Sequence, residues 1–433
     1  MFAMITKKIT SPKKAGEIIK NGGLVAFPTE TVYGLGADMY NELAVKNIFK
    51  AKGRPNDNPL ILHVADFESI LPLVKPSSEQ LELLKKLYDK FCPAPLTFIL
   101  PKSDIVPKYI TGGRDTVAVR VPNCSVTLEF LKHASVPVPA PSANISGTPS
   151  PTTAGHVWTD LSGKIDAILE GEPCEAGLES TIIDLTTNKI LRYGAITEEM
   201  LQEVIPELEE YNGKGEAIAP GLKYRHYAPK APLIIFDGTY EKGNKNVIIS
   251  QKNYEGVINL CSGKDDTEFA HNLFSLFRKC DELGAEKIYI VPPNTDNGIA
   301  KGINARINKA ISSHDEVIIS KRDNEDISGF IKDKIIGKVL LAKIGSEIVG
   351  AVEFLETDES VEILNIVVSN KRKKIGTQLI NALPKKKILL EVRKSNNVAR
   401  SFYKSLGFIE QNVRTKYYAD GEDAILCCRE TKY

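Results

Sequence analysis

The sequence predicts an α/β protein of several domains: a twisted α/β sheet over residues 1–212, a small parallel α/β domain over 232–314, and a third α/β domain over 315–433. Three observations lead there. A chain of 433 residues is too long for one hydrophobic core. Short runs rich in Val, Ile and Leu alternate with segments of helical period. Residues 213–231 collect Gly, Pro, Lys and Arg with no helical period, as a linker does.

In the first region Ser11 is placed to cap a helix that carries Ala15, Ile18 and Ile19 on one face. Leu24-Val25-Ala26-Phe27 reads as a buried strand ending at Pro28. Ala44 to Lys50 and Ser78 to Phe91 read as helices, and Leu96 to Leu100 and Val117 to Val121 as strands. No regular βαβ repeat appears, so a twisted α/β sheet is expected.

In the second region Leu233-Ile234-Ile235-Phe236, Val247-Ile248-Ile249, Val257-Ile258-Asn259-Leu260 and Ile288-Tyr289-Ile290-Val291 are continuous β-branched runs. Phe269, Leu273, Leu276, Phe277, Cys280 and Leu283 fall at helical spacing before Gly284. Strands of that kind alternating with helices predict a small, Rossmann-like parallel sheet. No Gly-rich phosphate loop follows its first strand, so a regulatory or docking role is expected. In the third region Lys338 to Lys343, Gly345-Ser346 and Ile348 to Val352 read as a hairpin. Val361 to Val368 and Ile388 to Val392 read as strands, Asn397 to Ser405 as a helix closed by Gly407, and between Asp326 and Lys338 only one short helix fits.

Lys plus Arg total 56 against 55 Asp plus Glu, so a global basic field for indiscriminate nucleic-acid binding is excluded. No apolar run approaches the ~18 residues of a membrane span. Lys7, Lys8, Lys13 and Lys14 are not followed by an apolar core and a cleavage site, which argues against a secretory signal. Seven cysteines without CxxC spacing suggest reduced thiols and a cytoplasmic location.

Lys52-Gly53-Arg54-Pro55, then Asn58-Pro59-Leu60-Ile61-Leu62-His63, sets two cations between turn residues and an apolar strand. It follows Pro28-Thr29-Glu30-Thr31-Val32-Tyr33-Gly34-Leu35-Gly36. Cations beside a small-residue turn suit an anionic ligand such as phosphate, although Lys52 to Pro55 alone also fits a charged surface loop. Pro141-Ser142-Ala143-Asn144-Ile145-Ser146-Gly147 with Ser150-Pro151-Thr152 adds hydroxyls and an amide. Ala176 to Asp184, Leu191-Arg192-Tyr193-Gly194 and Pro220 to Pro229 follow. The last contains Tyr224, Arg225, His226 and Tyr227, aromatic and cationic groups on a tether that could close over a ligand.

Together these motifs resemble the threonylcarbamoyl-AMP synthase family in its long, two-domain form, built on a YrdC-like domain. The resemblance runs over roughly residues 8 to 312. It implies that L-threonine, bicarbonate and ATP give threonylcarbamoyl-AMP and pyrophosphate, with Mg²⁺, for a downstream tRNA-modifying transferase. Lys52 and Arg54 would act on the phosphates with Arg192, because such a transition state needs positioned cations more than a general base. The nucleotide would contact Arg54, Asn58, Thr116, Ser142, Ser150, Arg192 and Tyr227. L-threonine would contact Thr31, His63, Arg120, Ala140 and Ser180. For His63 a packed, hydrogen-bonded core histidine is the competing reading.

Near the C-terminus Glu391-Val392-Arg393-Lys394-Ser395-Asn396, Ala399, Phe402-Tyr403, Gly407-Phe408, Tyr417-Tyr418 and Glu422-Asp423-Ala424 form a second ordered set. It resembles the GCN5-related N-acetyltransferases (GNAT), nearest to the ribosomal-protein alanine N-acetyltransferases. Glu391 would then be the general base and Tyr403 the general acid. Acetyl-CoA would lie against Val367, Val368, Lys371, Ile375, Gly376, Thr377 and Asn396, with the pyrophosphate on the helix start after the Lys371–Lys374 run. The family pattern has glycine where Lys374 stands, and a side chain there crowds the phosphate. A protein N-terminus would be the acceptor. An inactive scaffold in this region, and an RNA-binding module without turnover in the first, are the alternatives.

Overall fold

The structure, a computed structural model, describes residues 5–55, 58–211, 227–315, 317–322, 325–331, 335–344, 347–369 and 375–430. It divides into two compact units, Met1–Ser313 and His314–Tyr433.

In the first unit two sheets meet. One has four strands in the order Lys7–Ile9, Ala167–Leu169, Val25–Phe27 and Gly34–Gly36. The other has seven: Glu209–Glu210, Lys189–Arg192, Thr181–Asp184, Leu96–Pro101, Thr116–Arg120, Ile61–His63 and Val138–Ala140. They are stitched where Ala143 N–H donates to Tyr33 O at 2.7 Å and Leu35 N–H to Pro141 O at 2.8 Å. Local signals fix the helices. Ser11 caps Pro12–Lys20, accepting from Lys14 N–H. Ser77 and Gln80 form a full capping box on Ser78–Phe91. The Glu42–Lys52 helix starts earlier than the apolar pattern indicates because Asn41 caps it, and it ends at Gly53 with φ 61°.

The rest of this unit is a sheet of four parallel strands ordered Leu233–Ile235, Lys287–Ile290, Asn246–Ser250 and Ile258–Cys261. Helices Asp266–Glu282 and Gly298–Asp315 pack on it. Its apolar cluster takes in Val32, Leu178 and Tyr227, so it is continuous with the preceding sheets.

The second unit is a seven-stranded sheet ordered Val317–Lys321, Lys338–Ile344, Glu347–Glu356, Ser360–Val368, Lys387–Arg393, Ala424–Arg429 and Ile409–Arg414. Its one parallel pairing among the described residues joins Ser360–Val368 to Lys387–Arg393 and stops at Ile363 opposite Leu390. Residues 364–368 therefore continue without a ladder partner on that side. The short helix expected between Asp326 and Lys338 is a turn in the described residues: Asp326 accepts from Ser328 N–H, and Phe330 and Ile331 N–H both donate to Ile327 O. An Asp that bonds the backbone two residues on, followed by Gly329, favours a turn over a helix. No helix among the described residues is long and apolar enough to cross a membrane.

Gly16 marks the closest approach of two helices. A Cβ there would lie 2.7 Å from the backbone of His133 and Ala134, in helix Ser125–Ala134. Gly16→Val is expected to overpack this contact and lower unfolding stability by about 1–3 kcal/mol, read by urea denaturation.

Candidate functional site

A cleft opens along the seam between the two sheets of the first unit. Thr29, Thr31, Arg54, His63, Arg120, Ala140, Ser142, Glu179, Arg192 and Tyr227 line it with apolar neighbours such as Ile61. Several of these side chains arrive at element ends. Arg54 follows the helix that stops at Gly53 and donates to Pro59 O at 3.4 Å. His63, Arg120, Ala140 and Arg192 end their strands.

Arg120 is buried and paired with buried Glu30 at 2.8 Å. Its fork has donors to spare for a second carboxylate. His63 is buried beside Phe27, with Nδ1 3.1 Å from Ile61 O. Burial, and then the Arg120 charge, push its pKa down to about 3, so the ring is neutral near pH 7. Arg192 donates to Ser180 O at 2.9 Å and Ser180 Oγ at 3.0 Å. Burial lowers its pKa to about 10, which leaves it cationic. Thr29 Oγ1 and Thr31 Oγ1 lie 2.7 Å apart.

Some residues named from the sequence stand behind the lining. Lys52 is fully buried, and its Nζ donates to Ser142 O and Asn144 O, both at 2.5 Å, pinning the loop that carries Ser142. Burial, with the Arg54 charge next, lowers its pKa. Ser180 lies beneath Arg192, 2.7 Å from Thr97 Oγ1. Ser150 Oγ donates to Glu179 Oε1 at 2.5 Å. Asn58 is buried, and its Nδ2 has no hydrogen-bond partner among the described residues. Thr116 is outside the lining, but it shares a strand face with Ala118 and Arg120, and Ala118 pairs with cleft-lining Ile61.

Tyr227 closes one side. It is buried, has φ 69°, and packs on Phe274 at 5.3 Å between ring centroids. Its neighbours Tyr224, Arg225 and His226 lie outside the described residues. Sequence reasoning missed Glu179, and also two arginines from the following parallel domain. Arg278 pairs with Asp160 at 2.7 Å and donates to Pro149 O at 2.6 Å. Arg306 pairs with Glu179 at 3.1 Å. Each contact spans more than a hundred residues, and no local pattern announces it.

In the second unit Glu391 is paired with Arg414 at 2.6 Å. Tyr403 is buried against Phe402 and Phe408, and burial pushes its pKa up to about 12. Asn396 caps helix Asn397–Ser405 by accepting from Ala399 N–H. Val367, Val368, Ile375, Gly376 and Thr377 lie at the open end of the strand pair and on the helix after it. Lys371 to Lys374 lie outside the described residues.

The family model described as "Telomere recombination", that of the Sua5, YciO and YrdC proteins, matches residues 17–194. That of the "Threonylcarbamoyl-AMP synthase, C-terminal domain" matches 196–312. Threonylcarbamoyl-AMP synthase of Pyrococcus abyssi is 43% identical over 318 residues, covering 68% of this chain and 92% of its own length. The chain belongs to the Sua5-type threonylcarbamoyl-AMP synthase family. The Bacillus subtilis synthase is 38% identical over 69% of this chain and 92% of its own. The crystal structure of P. abyssi Sua5 complexed with L-threonine superposes with a TM-score of 0.65 at 41% identity, covering 71% of this chain and 97% of that one. Beyond the Sua5-type region, an acetyltransferase (GNAT) domain model matches residues 308–422.

One buried histidine, His63, and one half-buried histidine, His156, are expected to make this Sua5-type unit acid-sensitive. His63 has its pKa lowered to about 3, and His156 to about 4, both chiefly by burial. Their folded values lie below the ordinary 6.5, so below that pH the unfolded chain binds protons the folded one refuses. Stability is full above pH 6.5 and falls toward pH 4, by up to about 1.4 kcal/mol per pH unit for each histidine. Thermal denaturation from pH 7 to 4 is expected to show that slope, and His63→Gln to reduce it.

Proposed function

We propose that the first unit joins L-threonine, bicarbonate and ATP into L-threonylcarbamoyl-AMP and pyrophosphate, supplying the donor for threonylcarbamoyladenosine in tRNA. The observation that carries this is one cleft lined by three arginines, a buried histidine and threonine hydroxyls. In this reading residues 1–212 are catalytic, 213–231 cover the ligand, and 232–314 dock beneath it. Arg120 takes the threonine carboxylate in a bidentate pair, while Thr31, His63, Ala140 and Ser180 enclose the amine and hydroxyl. Neutral His63 does not repel an amine that must lose its proton before it attacks the bicarbonate-derived carbon, where the new C–N bond replaces a C–OH bond and one water leaves.

The resulting carbamate oxygen attacks the α-phosphorus and pyrophosphate leaves. Arg54 and Arg192 stabilise the charge in flight, Lys52 holds the Ser142 loop, and Asn58, Ser150 and Tyr227 surround the nucleotide. The strand face from Arg120 to Thr116 offers it a floor. No group of three or more His, Cys, Asp or Glu among the described residues could hold a metal. The residues fit Mg²⁺ carried chiefly by the triphosphate, where it neutralises phosphate charge. Arg54→Ala removes a charge-assisted contact of about 1.5–3 kcal/mol, so pyrophosphate release with threonine, bicarbonate and ATP should fall at least about tenfold with the melting curve intact. Unchanged release would remove Arg54 from the site, and no release from the wild-type chain would end the synthase reading.

A second reading, for residues 315–433, is acetyl transfer from acetyl-CoA to a protein N-terminal amine, ribosomal proteins included. The unpaired strand run 364–368 favours it, because the free backbone groups suit pantetheine. Gly376 also fits close packing: a Cβ there would lie 3.0 Å from the Phe402 ring. Lys371, Ile375, Gly376 and Thr377 would hold the pyrophosphate, Asn396 the chain beyond it, and Val367 and Val368 the pantetheine. The bound cofactor supplies an activated acetyl group. Glu391 takes the proton of the amine once that amine displaces Arg414, and Tyr403 keeps a proton for the departing thiolate. Calorimetry on the full chain should give one acetyl-CoA per chain, and Tyr403→Phe should slow acetylation of an Ala-terminated peptide at least about tenfold. Absence of binding at millimolar cofactor would leave a scaffold.

A further inference from the structure

We infer that Arg306 is a positioning residue for the nucleotide side of the cleft, acting through Glu179; this rests on the synthase reading. Arg306 belongs to helix Gly298–Asp315 of the parallel domain, yet only 2% of it is exposed. Its Nε donates to Glu179 Oε2 at 3.1 Å, its Nη2 to Glu179 O at 3.2 Å and its Nη1 to Tyr193 O. The other Glu179 oxygen accepts from Ser150 Oγ. The guanidinium carbon lies 5.9 Å from the Tyr227 ring centroid. One side chain thus touches or indirectly holds Glu179, Ser150 and Tyr227.

Charge explains the arrangement. Glu179 lines the cleft, which in the synthase reading takes a triphosphate. A bare carboxylate there repels the ligand, and a buried one is costly to keep ionised without a partner. Arg306 neutralises it and turns it toward Ser150. A lysine could not do the same, because one ammonium cannot span acceptors that a rigid fork reaches in three directions. The Arg306 hydrogen bonds go to Glu179, Tyr193 and Gly302 rather than to Thr31, His63 or Arg120, so threonine binding is predicted to be independent of it.

The test uses the full chain. In Arg306→Gln, calorimetry should show ATP binding weakened at least about tenfold and L-threonine binding within about threefold of wild type. Glu179→Gln added to Arg306→Gln removes the stranded charge and should bring ATP affinity back to within about threefold of wild type. That double variant also serves if the single one folds poorly. Lys301→Ala removes another cation of the same helix, paired with Glu198 at 2.8 Å and away from the cleft lining, and should leave ATP affinity unchanged. The inference is overturned if Arg306→Gln binds ATP normally, if both ligands weaken together, or if the double variant shows no recovery. A wild-type chain that binds ATP, shows this pattern and releases no pyrophosphate would sustain the inference and defeat the synthase reading.

Discussion

Three arginines converge on one narrow cleft, and the first unit is arranged around keeping them there. Guanidinium groups withdrawn from water repel one another unless anions or hydrogen-bond acceptors compensate them. Glu30 compensates Arg120, backbone and hydroxyl oxygens of Ser180 receive Arg192, and Pro59 O receives Arg54. In the cleft lining these three arginines face one carboxylate, Glu179. In the proposed reading an anionic substrate adds the remaining negative charge. Fold stability and ligand choice therefore draw on the same electrostatic imbalance.

Much of this was legible in the sequence, for local reasons. The helix Ser78–Phe91 announces itself through the Ser77 and Gln80 capping box, and the Pro12–Lys20 helix through Ser11. Thr31, Arg54, His63, Arg120, Ala140, Ser142, Arg192 and Tyr227 were singled out by motif, and one cleft gathers them. Motifs do not say which side chains face a ligand and which hold those that do. Lys52 looks as exposed as Arg54 in sequence, yet it ends a helix beneath the Asn144 loop and spends its ammonium on carbonyls. Glu179 and Arg306 were invisible because their pairing follows from how helix Gly298–Asp315 packs on the earlier sheets.

The second unit repeats the lesson with a different physics. The parallel ladder ends at Ile363, short of Val367-Val368, the pair that the acetyltransferase resemblance sets against acetyl-CoA. The pairing of Glu391 with Arg414 could not be anticipated, since it joins strands Lys387–Arg393 and Ile409–Arg414, which lie on either side of a third. The expected short helix near Asp326 gave way to a turn because a side-chain acceptor outcompeted the helical ladder over too few residues.

The ion pair between Glu179 and Arg306 also constrains how such a chain can be inherited. Recombination that exchanged the parallel domain for another would leave a buried carboxylate facing the cleft unless the incoming helix brought a guanidinium to the same spot. The two halves of the first unit are thereby bound to descend together.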